Sequence, residues 1–153
     1  MATGIDVVLN ENPKDDEVLY DLQLSPEGDF VSSDQLDTAI LVSMFTDARA
    51  AAYEIVRPAL RRGWVGDLEL DDEESHGSKL WLLEQERLTP VIVTKAADIL
   101  KSCLAWMVTD RIASSVATRG FIEGQTAMLQ LDIRKPNSRT ETRFVSLWDN
   151  TGK

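Results

Sequence analysis

The chain has 153 residues, of which 43% are hydrophobic and 27% charged, a composition typical of one globular domain with its own core. Its net charge is −10, and 18 of the 26 acidic residues lie in positions 1–76, so neither a nucleic acid nor a membrane is predicted as a partner. No apolar run approaches the roughly 18 residues of a membrane span. The single cysteine, Cys103, excludes an internal disulfide, and the first residues lack a secretory signal pattern, which predicts folding in the cytosol.

The start of the chain carries two alternating apolar patterns that predict β-strands, at residues 5–9 and 18–24. The polar residues 10–17 between them predict a loop, and the Ser-Pro-Glu-Gly run at residues 25–28 predicts a turn. A third short strand at residues 29–31 completes the predicted N-terminal strand region.

The middle of the chain, residues 32–110, carries helical patterns. Ser32 and Gln35 have the spacing of a capping box, and the apolar face after them predicts a helix that ends before Pro58. An irregular loop is predicted at residues 58–77, because glycines, arginines and acids replace the periodic pattern there. The apolar face of the helix consists of Leu36, Ile40, Leu41, Met44, Phe45, Ala48 and Ala52.

Two further helices are predicted after the loop. Ser78 is the predicted cap of a short helix, and Thr89 followed by Pro90 predicts the start of a longer one, because proline is well tolerated at the first helical position. The apolar stripe of the longer helix consists of Ile92, Ala96, Ile99, Leu100, Cys103 and Met107.

In the last part of the chain, residues 111–150, apolar residues recur at every second position. Strands are predicted at residues 112–118, 127–133 and 139–148, with a turn at residues 135–138. Strands, then helices, then adjacent strands are typical of an α+β fold. We therefore predict small antiparallel sheets packed with about three helices in a single domain, with regions 1–31, 32–110 and 111–150.

The residue inventory argues against catalysis. The sequence has no glycine-rich phosphate loop, nucleophile elbow or zincin helix, and its one histidine, His76, is interpreted as a solvated loop residue. The acidic run beginning at Asp67 lacks the glycine and the glutamate of a calcium-binding loop. The chain is therefore predicted to be no enzyme and to hold no cofactor or metal. The alternative is an acidic hydrolase, such as a murein-degrading lysozyme-like enzyme, that uses Glu73 and Glu74.

The run Arg-Arg-Gly-Trp-Val-Gly-Asp at residues 61–67 predicts a contact with another protein. Trp64 supplies a large, flat apolar ring, and the adjacent arginines can bind carboxylate or carbonyl groups of a partner. The equally weighted alternative is that Trp64 packs on the core beside Trp81. The candidate interface residues here are Arg61, Arg62, Gly63, Trp64, Gly66, Asp67 and Trp81.

The last predicted strand is a second candidate contact. Its alternation places Thr140, Thr142, Phe144, Ser146 and Trp148 on one face. If this strand lies at the edge of its sheet, its open backbone groups can pair with a strand of another chain. The candidate interface residues here are Thr142, Phe144, Ser146 and Trp148.

Several motifs in a fixed order carry a resemblance to a known family. They are Leu-Asp-Thr-Ala-Ile at residues 36–40, the run at residues 61–67, Gly-Ser-Lys-Leu-Trp-Leu-Leu at residues 77–83, and Trp148. Together they resemble the Mu-like phage protein family of contractile-tail baseplates. More distantly, the chain is similar to the wedge proteins that join the baseplate to the first ring of the sheath, some of which carry a lysozyme label.

The resemblance implies a structural wedge subunit in the virion tail baseplate of a phage or tailocin. Its implied partners are other wedge proteins, among them a large J-like wedge subunit, and tail sheath or tube proteins. The implied place of folding and assembly is the bacterial host cytoplasm. An acidic adaptor unrelated to tails remains as a further alternative.

Overall fold

The computed structural model describes residues 6–7, 9–14, 17–22, 26–27, 32–33, 36–69, 76–137 and 139–149. The chain forms two compact units, Met1–Val42 and Ser43–Lys153. The strands and α-helices in chain order are β1 (Asp6–Val7), β2 (Leu9–Lys14), β3 (Glu17–Leu22), β4 (Ser32–Ser33), α1 (Asp37–Phe45), α2 (Pro90–Cys103), α3 (Trp106–Thr109), β5 (Ser115–Glu123), β6 (Thr126–Arg134) and β7 (Thr140–Asp149). Helices packed with antiparallel strands confirm the predicted α+β class. The single domain over residues 1–153 stays a prediction.

Two short antiparallel ladders lie in the first unit. β2 pairs with β3, and β1 pairs with β4. The predicted loop at residues 10–17 is therefore wrong for residues 10–14, which belong to β2, and for Glu17, which begins β3. Pro13 within β2 is compatible with pairing, because β3 is the only neighbour of β2 among the described residues and a missing amide is tolerated on the open side. The predicted strand at residues 29–31 lies outside the described residues.

The first helix is shorter than its sequence pattern. α1 begins at Asp37, since Ser32 already belongs to β4, so the predicted capping box does not start it. α1 ends at Phe45 instead of continuing towards Pro58, because the backbone of Thr46 and Ala48 hydrogen-bonds to Ser78. The predicted apolar positions Leu36, Ile40, Met44 and Ala48 are buried.

The second helical stretch follows its local signals closely. The side chain of Thr89 accepts a hydrogen bond from the amide of Ile92 at 3.3 Å, and Pro90 is the first residue of α2, as predicted. α2 ends at Cys103, and the remaining predicted turn forms the separate helix α3. The short helix predicted after Ser78 is a 3-10 helix, Leu80–Leu83, and the Ser78 hydroxyl accepts from the amide of Leu80 at 3.2 Å.

A three-stranded antiparallel sheet in the order β5-β6-β7 packs against α2. β5 begins later than predicted, because the amides of Ile112 and Ala113 still bond to the carbonyl of Met107 at the end of the helical region. The central strand β6 alternates as predicted. Its buried positions are Ala127, Leu129, Leu131 and Ile133, and those of α2 are Val93, Ala96, Ala97 and Leu100.

Gly120 lies at a close approach between α2 and β5. A Cβ atom at this position would lie 2.4 Å from the carbonyl oxygen of Val93 in α2. We therefore expect Gly120→Ala to lower the free energy of unfolding by about 1–3 kcal/mol, because helix and sheet must separate to admit the methyl group. Chemical denaturation of both proteins measures the difference. Ala117→Val is the control, since Ala117 is exposed on the same strand. Equal stability of Gly120→Ala and the parent chain would contradict the close packing.

Candidate protein-interaction surface

A backbone bridge ties the end of the predicted irregular loop, residues 58–77, to the segment that follows α1. The amide of Ser78 donates to the carbonyl of Thr46 at 2.8 Å, and the amide of Ala48 donates to the carbonyl of Ser78 at 2.9 Å. The Ser78 hydroxyl donates to the carbonyl of Met44, and Ser78 is 3% exposed. Gly77 has a φ of +92°, and a Cβ there would lie 2.2 Å from the Thr46 carbonyl oxygen, so this close approach requires glycine.

The two arginines of the loop bind groups of their own chain. The guanidinium of Arg61 donates to the carbonyl of Ala50. Arg62 pairs with Asp47 at 3.0 Å and with Glu84 at 3.1 Å. The hydrogen bonds that Arg62 donates to Glu84, and then to Asp47, hold the pKa of the Arg62 guanidinium above its usual value. The carboxylate and carbonyl contacts that the sequence predicted for a partner protein are therefore made within the chain.

Trp81 lies in the same cluster and is half-buried. Its indole Nε1 donates to the carbonyl of Ala48 at 2.9 Å. The guanidinium carbon of Arg62 lies 4.8 Å from the centre of the Trp81 ring, a cation–π contact. Trp81 therefore helps to hold the loop against the bridge between Asp47 and Ser78.

Trp64 does not belong to the core, since 49% of it is exposed. Its ring meets the ring of His76 edge-on, with 5.5 Å between the centroids. A Cβ on Gly66 would lie 2.2 Å from the Trp64 ring, so glycine at 66 lets the indole fold over the backbone. Asp67 secures the arrangement, because its carboxylate lies 3.1 Å from Nδ1 of His76 and its amide bonds to the Trp64 carbonyl. The loop thus presents one face of a fixed indole, while Gly63, at φ +119°, passes close to Arg49.

Other large apolar side chains are exposed beside this loop, and the sequence pattern did not single them out. Tyr53 is 89% exposed and Val56 is 99% exposed. The sequence pattern predicted a helix that continued towards these residues. Because α1 ends at Phe45, Tyr53 and Val56 lie in a nonhelical segment. Leu60 and Val65 are exposed as well, at 62% and 74%.

His76 is exposed and is held by Asp67 of its own loop. Its amide and Nδ1 contact only the carboxylate of Asp67. Glu73 and Glu74, the residues of the hydrolase alternative, lie outside the described residues. In the part of the chain that the structure describes, no three His, Cys, Asp or Glu side chains are grouped closely enough to hold a metal ion. Over the same residues, no helix has the length and apolar content to cross a membrane.

Cys103 is the one thiol of the chain and lies mostly buried at the end of α2. Burial raises the pKa of the Cys103 thiol to about 12, so the thiol stays protonated at neutral pH. This agrees with its predicted place in the apolar stripe of α2.

β7 is an edge strand of the three-stranded sheet, because β6 is its only neighbour among the described residues. The amide of Lys135 bonds to the carbonyl of Arg139, so that opposed pair is hydrogen-bonded. Because such pairs alternate along an antiparallel ladder, the backbone groups of Thr140, Thr142 and Phe144 point away from β6.

The side chains of β7 alternate as predicted from Thr140 to Ser146, with Thr142, Phe144 and Ser146 exposed. Trp148 was predicted on the same face, and its side chain is outside the part of the chain that the structure describes. The register shifts between Ala127 and Met128, which pair with Trp148 and Ser146 respectively, so Leu147 is an extra residue in β7. The first three of these four candidate residues thus lie together on one exposed stretch of the edge strand.

These features define a small α+β chain that presents a fixed apolar loop and an open strand edge. The family described as Phage protein GP46 matches residues 36–140, more than half of the chain. The chain is 32% identical over 130 residues to the Mu-like prophage FluMu protein gp46 of Haemophilus influenzae, covering 84% of this chain and 89% of that protein. It is 34% identical over 93 residues to the baseplate protein gp46 of Escherichia phage Mu, covering 60% of this chain and 63% of that protein. The chain belongs to the phage protein GP46 family.

Proposed function

We propose that this chain is a structural, non-enzymatic subunit of the baseplate wedge of a contractile phage or tailocin tail. The observation that carries the proposal is its membership of the GP46 family, in which the phage Mu relative is named a baseplate protein. Folding and assembly in the bacterial host cytoplasm, followed by residence in the virion tail, complete the proposal.

The loop surface supports a contact with another wedge protein, the large J-like subunit. Trp64 and Val65 lie exposed on a loop whose backbone is fixed by the Ser78 bridge and whose arginines are held by their own chain. An apolar surface that is already ordered loses little conformational entropy when a partner covers it. In this proposal Arg61 and Arg62 position the loop, and Trp64 makes the contact.

The edge of β7 supports a second contact, with a strand of a sheath or tube protein in the first ring above the baseplate. The open amides and carbonyls of Thr140, Thr142 and Phe144 provide main-chain pairing, and Phe144 is 61% exposed. Ser146 and Trp148 extend this contact towards the end of the strand.

The test of the proposed function is deletion of the gene from a contractile-tailed phage or tailocin that encodes the chain. We expect electron microscopy to show no complete contractile tails, and expression of the chain in trans to restore them. Mass spectrometry of purified tails should detect the chain in the restored particles. Infectious particles without the chain would contradict the proposal. So would murein turnover by the purified chain that is lost in the Glu73→Gln, Glu74→Gln double variant, because it would favour the hydrolase alternative.

A further inference from the structure

An open groove lies next to the loop, between the segment after α1 and the 3-10 helix Leu80–Leu83. Its volume is about 800 Å³. The apolar part of its lining consists of Ile55, Val56, Ala59, Leu60, Trp81 and Leu82. The groove is distinct from the surface around Trp64, which is not among its lining residues.

The walls of the groove are held in place by bonds within the chain. Lys79 pairs with Glu54 at 2.8 Å, and the amide of Ala51 donates to the same carboxylate at 2.6 Å. Hydrogen bonds from Lys79, and then from Ala51, hold the pKa of Glu54 below its usual range. The amide of Leu60 bonds to the carbonyl of Arg57 at 2.9 Å. The groove is therefore formed before any partner arrives.

Of the charged side chains that line the groove, only Arg57 has no ion-pair partner among the described residues. Glu54 is paired with Lys79, and Arg62 is paired with Glu84. Arg57 is exposed, and its side chain makes no ion pair or hydrogen bond with any residue that the structure describes. A partner that covers the groove thus meets an apolar wall that carries one guanidinium without an ion-pair partner, in a chain whose net charge is −10.

We infer that this groove binds a segment of another baseplate subunit that presents an apolar side chain next to a carboxylate. The apolar side chain contacts Val56 and Leu60, and the carboxylate pairs with Arg57. The inference rests on the proposed baseplate function and adds a second contact to the one at Trp64. A second copy of this chain is the less suitable occupant, because it would bring another net charge of −10 and another unpaired Arg57.

Photocrosslinking identifies the occupant. The full chain carries p-benzoylphenylalanine at position 56 and assembles in a phage deleted for its gene, with position 91 as the control site. Val91 is also a highly exposed valine, at 74%, but it does not line the groove. We expect position 56 to crosslink to a peptide of another tail protein that contains an apolar residue beside an aspartate or glutamate. A crosslink to a second copy of this chain, or no yield above that at position 91, would overturn the inference.

Two substitutions test the chemistry of the contact. Val56→Asp and Arg57→Glu should each reduce the amount of chain per tail particle by about tenfold or more, because an unpaired charge is then buried at the contact. Val91→Asp and Arg87→Glu are the matched controls, since neither parent residue lines the groove. Changing the crosslinked carboxylate of the partner to lysine should restore incorporation of Arg57→Glu.

These outcomes distinguish a failure of the groove inference from a failure of the proposed baseplate function. If the parent chain and both groove variants enter particles equally, the groove inference is wrong and the proposed function stands. If the parent chain is absent from particles, the proposed function is wrong. Melting temperatures of all variants, measured on the free chain, show whether any loss of incorporation arises from unfolding.

Discussion

Replacement of Trp64 by alanine should strongly reduce incorporation of the chain into tail particles while leaving its melting temperature close to that of the parent chain. The indole is 49% exposed and contacts His76 and Gly66 of its own loop, so its removal opens no cavity in the core. A tryptophan at the centre of an interface commonly contributes at least about 2 kcal/mol, or about thirtyfold in affinity. Quantitative mass spectrometry of purified particles, beside calorimetry of the free chain, measures both properties.

Val65→Ala is the matched control for this prediction. Val65 neighbours Trp64 and is 74% exposed, but its side chain is much smaller, so we expect a smaller loss of incorporation. A large fall in melting temperature for Trp64→Ala, with normal incorporation at reduced temperature, would show that the indole stabilises the fold. In that case the contact with the J-like subunit would have to lie elsewhere.

Thr142→Pro should prevent β7 from pairing with a strand of another chain. The amide of Thr142 points away from β6, so proline keeps the ladder of the sheet but removes one donor from its open edge, and its ring obstructs an approaching strand. We expect attachment to the first sheath ring to fall by at least about tenfold. Thr142→Ala is the control, because it loses the 2.6 Å hydrogen bond to Asp132 but keeps the amide. Electron microscopy of the particles, which counts baseplates with and without sheath, measures the effect.

Amide hydrogen exchange tests the same edge without any substitution. The amides of Thr140, Thr142 and Phe144 should exchange rapidly in the free chain and become protected in the assembled tail, because only an added strand can bond to them. The amides of Glu141 and Arg143, which face β6, should be protected in both states. Full protection of residues 139–148 in the free chain, with no gain on assembly, would show that the docking edge lies elsewhere.

The parts of the fold that follow local chemistry could be predicted from the sequence. Thr89 and Pro90 mark the start of α2 because the cap and the missing amide act within one turn of helix. The alternation of β6 identifies its buried face for the same reason, since side-chain direction in a strand has a period of two. The end of α1 could not be predicted, because it depends on hydrogen bonds to Ser78, more than thirty residues away along the chain.

In the candidate interaction surface, too, local features could be predicted from the sequence and contacts between distant residues could not. The sequence identified Trp64 as an anchor candidate from its flanking glycines and arginines, but it left packing on the core as an equal alternative. It could not show that Arg62 binds Asp47 and Glu84, since those acids lie far from it in sequence. The exposure of Val56 could not be predicted, because an apolar residue in a nonhelical segment has the same sequence signature whether it is buried or exposed.

The bridge between Asp47 and Ser78 also makes the intervening segment tolerant of changes in length. The bridge ties the two ends of that segment together, so the ends stay close whatever the length of chain between them. The entropy cost of closing a flexible loop rises by only about 0.6 kcal/mol for each doubling of its length. We therefore expect insertions between Asp47 and Ser78 to lower the free energy of unfolding less than insertions within α2 or the three-stranded sheet.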